Sequence, residues 1–271
     1  MEQMKLEEIR KVQVEILKGV DRWCREHQVR YFLSNGTLLG AVRHQGYIPW
    51  DDDIDIILLR PDYERFLREF NLARTDALRV LHSSIDAAFP LAFAKVIHTG
   101  TVLQEDTDIP YTMGVNIDVF VLDAVGDDPA NAEKLFRRAW LYRRILEAKH
   151  MLPQKRHKRR LTKRIAAALV KAAAAPVPVH WCTAGIDRVC ASMRDQQDCK
   201  WLAKLCRNHF APGEAMRSEW FAASVELPFE GELFQAPANW DAVLTAWFGD
   251  YHQLPPEEER KPHHRYKAYW A

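Results

Sequence analysis

The pattern of apolar and polar positions predicts one long helix followed by a series of short strands. Apolar residues recur at helical spacing from Leu6 to Trp23, which predicts an amphipathic helix that ends near His27. A second helix, with a proline at its start, is predicted over residues 61–70. Short apolar runs predict strands at residues 31–33, up to residue 59, and at 78–82, 91–98, 102–105 and 115–122.

This order of elements predicts a mixed α/β (α+β) protein whose strands lie mainly in the first half of the chain. We expect a core over residues 1–125, and a mainly helical part over residues 126–271 that completes the same domain. In the second part, helices are expected to about residue 208, followed by irregular structure and a helix near residues 240–248. A chain of 271 residues can bury one large core or two small ones.

A group of carboxylates stands directly before an apolar strand pattern, in the run DDDIDIILL at residues 51–59. Because side chains alternate along a strand, Asp53 and Asp55 point the same way, and Asp51 joins them if the strand starts early enough. Like charges packed together need a neutralising partner, and hard cations such as Mg²⁺ or Mn²⁺ take oxygen ligands. A solvated acidic turn is the alternative, although Asp55 lies inside the apolar run, where an unpaired charge is costly.

The residues before this run have the character of a phosphate site. The turn SNGT at residues 34–37 precedes a helical pattern, and Gly36 and Thr37 would open that helix. Backbone N–H groups at a helix N-terminus attract anions, and glycine permits close approach. An ordinary capped helix is the alternative. Beside a carboxylate pair, the combination favours phosphoryl or nucleotidyl chemistry.

Cationic side chains near these residues are candidate phosphate ligands. Arg43 can bind phosphate in a bidentate manner, or it can lie on a solvated helix face. Lys95 lies in the apolar run LAFAKVIH, so it needs an anionic partner, either a phosphate or one of the aspartates. His44 is a further candidate beside Arg43.

A second acidic strand is predicted at residues 114–120, which read GVNIDVF. Ile117 and Val119 would bury one face of this strand, and Asp118 would lie on the other. Asp118 is therefore a candidate third carboxylate of the site. The alternative is a surface acid at the end of a strand.

These blocks resemble the LicD family of phosphotransferases, which are relatives of the fukutin group. The resemblance is carried by NGTLLGAVRHQGYIPWDDDIDI at residues 35–56, by residues 114–120 and by YHQLPPEEERKPHH at residues 251–264. His263 and His264 in the third block are further candidates for substrate contact, with charged tail residues as the alternative. Residues 125–225 carry no block that matches.

The resemblance implies an enzyme with a nucleotidyltransferase-like fold, in which a mixed sheet is flanked by helices. Carried over by residue, Gly36 and Thr37 form the phosphate turn, Asp53 and Asp55 hold Mg²⁺ or Mn²⁺, and Asp118 is either a third ligand or the base. One or two cations fit this implication. Many relatives have Gly-Gly where this chain has Asn35-Gly36.

The implied reaction transfers a phospho-alcohol, most simply phosphocholine, from a CDP-linked donor to a hydroxyl of a surface glycan or lipopolysaccharide. Choline would be recognised by aromatic faces, whereas ribitol or glycerol would need hydrogen-bonding groups, so the donor alcohol stays open. A nucleotidyltransferase that transfers NMP is the alternative enzyme. The alternative of another class is a catalytically silent glycolipid-binding protein, for which an intact acidic triad would have no purpose.

Composition sets the outer bounds on function and location. The net charge of +1 argues against a general nucleic-acid binder. The absence of a long apolar run and the charged N-terminus predict a cytoplasmic protein, with contact at the inner face of the membrane as an option. The five cysteines are scattered and predict reduced thiols, with a structural zinc site at Cys199, Cys206 and His209 as the alternative.

A basic amphipathic segment is predicted over residues 153–178. Seven lysine and arginine residues occur from Lys155 to Arg164 without an acid between them. Apolar residues follow at helical spacing, among them Leu169. Such a segment is typical of peripheral binding to an anionic membrane or glycolipid, and a solvated helix is the alternative.

Overall fold

The computed structural model describes residues 2–72, 76–105, 111–149, 161–196, 198–211, 213–261 and 266–271. The helices are α1 (Leu6–Glu26), α2 (Asn35–His44), α3 (Arg60–Glu69), α4 (Ala130–Arg138), α5 (Trp140–Lys149), α6 (Leu161–Ala174), α7 (Val179–Cys190) and α8 (Trp240–Phe248). The strands are β1 (Phe32–Leu33), β2 (Asp55–Leu59), β3 (Leu78–Leu81), β4 (Ala94–His98), β5 (Thr101–Glu105), β6 (Asn116–Gly126), β7 (Trp201–Ala203), β8 (Ala215–Arg217), β9 (Ser224–Phe229), β10 (Glu232–Pro237) and β11 (Tyr266–Trp270).

The largest sheet is mixed, as predicted. Its strands follow the order β1-β2-β6-β4-β3, and β7 and β8 extend it from the end of β6. Strands β2 and β6 run parallel, whereas β6 pairs with β4 and with β7 in the antiparallel sense. The parallel register sets Asp55 opposite Asp118. The fold therefore brings the two predicted acidic strands side by side at the ends where they begin.

Helix α1 covers this sheet and supplies much of the core. Ile16, Leu17 and Val20 are fully buried, and they belong to one continuous apolar cluster with residues of β2, β4 and β6. The apolar stripe that predicted this helix is thus the face that packs against the sheet. The opposite face carries charged side chains, including the Arg25–Asp21 ion pair.

The strands after residue 200 were not predicted, and the expectation of helices to residue 208 followed by irregular structure was wrong there. Strands β9 and β10 form a hairpin whose two-residue turn, Glu230-Gly231, has positive φ at both positions. That geometry suits the twist of a hairpin and is usually signalled by Asn-Gly or Asp-Gly. The hairpin also exposes most of β9, so its sequence lacks a clean apolar alternation.

A buried ion pair joins the sheet to the helices of the second half. Arg60, the first residue of α3, binds Asp123 of β6 through two hydrogen bonds of 2.7 and 3.0 Å, and it binds Asp187 of α7 at 2.8 Å. Arg60 and Asp123 are almost completely buried, so each charge depends on its partner. Because β7 and β8 also extend the sheet, the two parts share secondary structure, and the boundary at residue 125 stays a prediction.

Candidate active site

A cavity of about 1060 Å³ lies over the ends of β2 and β6 where both strands begin. Its floor carries four of the predicted carboxylates, Asp51, Asp53, Asp55 and Asp118. Its walls include the aromatic side chains of Trp50, Phe93, Phe120, Trp247, Phe248 and Tyr251. The arrangement combines a concentrated negative charge with an apolar, aromatic enclosure, which is typical of a site for a small polar ligand.

The acidic run is not a strand along its whole length. Strand β2 begins only at Asp55, and residues 51–54 form an irregular loop. Strand alternation therefore does not align Asp51 and Asp53 with Asp55, and that expectation was wrong. All three side chains nevertheless line the same cavity. The loop, rather than the pleat of a strand, directs the first two carboxylates inward.

Side chains from the two ends of the chain hold this loop by its backbone. Arg10 of α1 donates hydrogen bonds to the carbonyl groups of Ile48, Pro49 and Asp51. The carbonyl of Asp52 accepts hydrogen bonds from Gln13 at 3.0 Å and from the hydroxyl of Tyr266 at 2.7 Å. Because these contacts use carbonyl oxygens, they fix the loop without occupying its carboxylates.

The two residues of the predicted phosphate turn, Gly36 and Thr37, have structural roles beside the carboxylates. The hydroxyl of Thr37 accepts a hydrogen bond of 2.8 Å from the backbone N–H of Asp55 and so fixes the start of β2. A Cβ added at Gly36 would lie 2.3 Å from Oδ2 of Asp51, so only glycine leaves room for that carboxylate at the N-terminus of α2. Their role in phosphate binding stays a prediction.

Burial makes two of the carboxylates, Asp51 and Asp55, hard to ionise in the absence of a cation. Burial raises the pKa of Asp55 well above its ordinary value, and the charges of Asp53 and Asp118 raise it further. Burial also raises the pKa of Asp51, although a hydrogen bond with Asp53 acts in the opposite direction. A divalent cation would remove this penalty, because it attracts each carboxylate more strongly than the neighbouring carboxylates repel it.

The carboxylates fit a hard cation in their chemistry, and one group of them also fits it in spacing. Among the described residues, Asp51, Asp52 and Asp53 form the one group whose possible ligand atoms all lie within 4.8 Å of one another. Asp53, Asp55 and Asp118, the predicted ligand set, share the cavity floor without meeting that criterion together. Oxygen ligands of this kind suit Mg²⁺ or Mn²⁺.

Lys95 has the aspartate partner that was one of its two predicted options. Its ammonium group hydrogen-bonds to Asp118, and it also donates to Oδ1 of Asn116 at 2.9 Å. The pair is mostly buried, which explains how a lysine is accommodated in β4. Contact of Lys95 with a substrate phosphate stays a prediction.

The other predicted cationic candidates differ in their positions. Arg43 lines the cavity and donates a hydrogen bond of 2.9 Å to the carbonyl of Tyr251, and burial lowers its pKa. His44 is not among the described residues that line this cavity. Burial lowers the pKa of His44, and the positive charge of Arg43 lowers it further. His263 and His264 lie outside the described residues.

Among the residues of the cavity wall that were not predicted as site residues, three form a connected polar group: Asn35, Lys204 and Glu214. Lys204 donates a hydrogen bond of 2.6 Å to Oδ1 of Asn35 and lies 3.5 Å from Oε2 of Glu214. The signal was available, because Lys204 interrupts the apolar run WLAKLC just as Lys95 interrupts its own run. A lone lysine in such a run predicts a buried partner.

The zinc alternative finds no support among the residues that the structure describes. Cys199, Cys206 and His209 do not form a group with ligand atoms within 4.8 Å, although all three lie in the described range 198–211. The five cysteines are buried and free. Burial raises the pKa of Cys206 to about 11, which keeps it a neutral thiol. The prediction of reduced, packed thiols agrees with this arrangement.

Comparison with known proteins identifies the class of the fold and site. The family model LicD/FKTN/FKRP, nucleotidyltransferase domain, matches residues 28–97, which contain the phosphate turn and the acidic loop. The chain is also 27% identical over 281 residues to the lipopolysaccharide cholinephosphotransferase LicD of Haemophilus influenzae, with 99% of each chain covered. The chain is therefore similar to a LicD enzyme along nearly its whole length, and this similarity confirms the resemblance that the sequence blocks indicated.

Shorter matches fall on other bacterial proteins. An uncharacterized protein of Rickettsia typhi is 35% identical over 71 residues, which is 26% of this chain and 23% of the relative. One of Rickettsia prowazekii is 44% identical over 48 residues, or 18% of each chain. These local matches support a shared segment and carry no information on activity.

Asp55→Asn should become more stable relative to the wild type as the pH rises. A carboxyl group whose pKa is raised in the folded state stabilises the fold below its unfolded pKa, and that contribution is lost as the pH rises through the folded pKa. For Asp55 this loss begins above the ordinary value of 3.8, whereas asparagine has no such loss. Urea unfolding in the presence of a chelator at several pH values measures the difference.

The matched control is Asp198→Asn, which changes an exposed carboxylate outside the cavity. Its stability difference from the wild type should change little with pH. A difference between wild type and Asp55→Asn that stays constant with pH would contradict the electrostatic account of the cavity floor.

Proposed function

We propose that this protein is a metal-dependent phosphotransferase that moves phosphocholine from CDP-choline to a hydroxyl of lipopolysaccharide or another surface glycan. The observation that carries the proposal is the group of four carboxylates, two buried and two partly buried, on the floor of a cavity with aromatic side chains in its walls. The LicD relative, named a lipopolysaccharide cholinephosphotransferase, supports this choice of group and acceptor. We also expect the protein to act in the cytoplasm, where a nucleotide-linked donor would be available.

Asp53 and Asp55 are the residues that we expect to hold Mg²⁺ or Mn²⁺, with Asp51 beside them. A bound cation would neutralise the phosphoryl oxygens of the donor. Arg43 lines the cavity wall, and we expect its guanidinium group to bind a donor phosphate in two contacts. Asp118, which forms an ion pair with Lys95, is a candidate either for a further ligand of the cation or for the base that accepts the proton of the acceptor hydroxyl.

The aromatic walls favour choline as the transferred alcohol. A quaternary ammonium group is attracted to the faces of tryptophan, tyrosine and phenylalanine by about 0.5–2 kcal/mol per contact. Trp50, Phe93, Phe248 and Tyr251 line the cavity together. Ribitol or glycerol would instead need a series of hydrogen-bonding groups. CDP-choline is therefore the first donor to test, with CDP-ribitol and CDP-glycerol as comparisons.

Transfer of NMP to the acceptor is the second enzymatic candidate, because it would use the same carboxylates. The two reactions differ in the fragment that the acceptor gains and in the product that leaves. A silent glycolipid-binding protein is the third candidate. It would have no use for carboxylates that are buried together at a cost in stability.

Incubation with Mg²⁺, CDP-choline and a lipopolysaccharide acceptor should release CMP and increase the acceptor mass by one phosphocholine group, whereas CDP-ribitol and CDP-glycerol should give little product. Asp55→Asn should lower the rate by at least about a hundredfold, because it weakens cation binding at the floor. Asp198→Asn, the exposed control, should keep the rate of the wild type. Mass spectrometry of both products reads the result.

Each other outcome of this experiment has a distinct meaning. An acceptor that gains CMP, with release of phosphocholine, would establish the nucleotidyltransferase. Full activity in Asp55→Asn would overturn the assignment of the site. Binding of glycolipid by both proteins, without turnover of any donor, would support the silent binding protein.

We also propose that the helices of the second half contact an anionic membrane surface, where a lipid-linked acceptor would be found. Helix α6 lies within the predicted basic segment at residues 153–178, and the basic residues before it lie outside the described range. Leu169 of α6 is 66% exposed and Trp140 of α5 is 57% exposed. Leu141, Val170 and Trp181 on the same three-helix group, α5 to α7, are exposed as well. None of the described helices is long and apolar enough to cross a bilayer.

The protein should bind vesicles that contain phosphatidylglycerol, and binding should weaken as salt is raised. Replacing the seven basic residues at positions 155–164 by glutamine should remove most of this binding. Leu169→Ser should weaken it by a smaller amount, because less apolar area enters the interface. Sedimentation with vesicles measures the bound fraction. Equal binding to neutral phosphatidylcholine vesicles, or none to anionic ones, would refute the proposal.

A further inference from the structure

Lys204 brings a positive charge into the wall of the cavity at a point where almost no water reaches it. Its side chain is 1% exposed, and its ammonium group lies 4.6 Å from the centre of the Trp247 ring and 5.4 Å from that of Phe120. Burial lowers its pKa, and the charge of Glu214 opposes that effect. A buried ammonium group is retained only where it has partners of suitable chemistry.

The shortest contact of this ammonium group leads to the acidic floor through one side chain. Lys204 donates a hydrogen bond of 2.6 Å to Oδ1 of Asn35. Asn35 in turn donates a hydrogen bond of 2.8 Å from Nδ2 to Oδ2 of Asp55. The three residues thus form a chain of two hydrogen bonds that runs from Lys204 through Asn35 to Asp55.

The direction of this chain follows from the lysine. An ammonium group can only donate, so the amide oxygen of Asn35 must face Lys204, and the amide nitrogen must then face Asp55. An ionised Asp55 can only accept, so it requires the same orientation of the amide from the other end of the chain. The nitrogen binds one oxygen of Asp55 and leaves the other oxygen of that carboxylate for a further ligand.

The backbone at Asn35 fits the same purpose. Its φ of +46° lies in the left-handed region, which glycine and asparagine adopt most readily. Asparagine therefore meets the requirement of the turn and adds an amide between two charged groups. Glycine would meet the requirement of the turn alone, which makes Asn35→Gly a conservative test of the amide.

We propose that Lys204 is a positioning residue of the cation site, which acts through Asn35 to orient the carboxylate of Asp55. The inference rests on the proposed cation-dependent function. It assigns a role to two residues that do not ligate the cation themselves. Partners that orient a ligating carboxylate commonly change metal affinity by about 10- to 100-fold.

The alternative is a purely structural lysine, whose role is to pair with Glu214 between Phe120 and Trp247. That role would affect the stability of the fold and leave the affinity for a cation unchanged. A simple counter-charge would act in the opposite direction, because removal of a nearby positive charge strengthens cation binding. The sign and pattern of changes in affinity therefore separate the three roles.

The experiment measures Mn²⁺ affinity by calorimetry and electron paramagnetic resonance, without any substrate. The variants are Asn35→Gly, the charge-balanced pair Lys204→Met with Glu214→Gln, and the combination of all three changes. Glu214→Gln alone is the matched control, since it leaves the chain from Lys204 to Asp55 intact. The melting temperature of each protein in a chelator reports stability separately.

We expect Asn35→Gly and the Lys204→Met/Glu214→Gln pair each to weaken Mn²⁺ binding about tenfold. The combination should bind no more weakly than either, because residues that act through one contact are not additive. Glu214→Gln alone should stay within about twofold of the wild type. Unchanged or tighter binding in the Lys204→Met/Glu214→Gln pair, or losses that multiply in the combination, would overturn the inference. A wild type that binds no Mn²⁺ would overturn the proposed function and this inference with it.

Discussion

Repulsion between carboxylates is the constraint around which this structure is organised. Asp51, Asp53, Asp55 and Asp118 share the floor of one cavity, and two like charges about 4 Å apart cost about 4 kcal/mol at an effective dielectric constant of about 20. Three partners offset part of this repulsion. Lys95 lies beside Asp118, the N-terminus of α2 lies beside Asp51, and the Lys204–Asn35 chain lies beside Asp55. These partners reduce the repulsion and leave a role for a divalent cation.

The scaffold explains how so much charge is held in place. The parallel pairing of β2 with β6 sets Asp55 opposite Asp118, and the hydroxyl of Thr37 fixes the first N–H of β2. Contacts from Arg10 and Tyr266 bring residues from opposite ends of the chain onto the acidic loop. The site therefore depends on the complete fold, which agrees with a relative that is similar along the full length of the chain.

Local features of the site were predictable from the sequence, whereas features that depend on distant segments were not. Asp53, Asp55 and Asp118 could be recognised because each stands beside an apolar strand pattern. The loop that carries Asp51 and Asp53 was predicted as part of a strand. Its conformation depends on hydrogen bonds from Arg10 and Gln13 to its carbonyl groups, and these contacts leave no alternation in the local sequence.

The second half of the chain was less predictable for a physical reason. Strands β7 and β8 are short and extend a sheet whose neighbouring strand, β6, ends at Gly126, so their pattern has little local signal. Lys204 follows β7, and its partner Asn35 is 169 positions away. The one local signal for Lys204 is that a lone lysine in an apolar run needs a buried partner, and this signal does not indicate which residue the partner is.

The most direct test of the account is a crystal structure with Mn²⁺ and CDP-choline, in which anomalous scattering locates the ion. The account predicts a peak in the cavity with carboxylate oxygens of Asp53 and Asp55 at about 2.1 Å, and with the donor phosphates on the same ion. An ion bound elsewhere, for example at the acidic surface group of Asp127, Asp195 and Asp198, with an empty cavity floor, would contradict it.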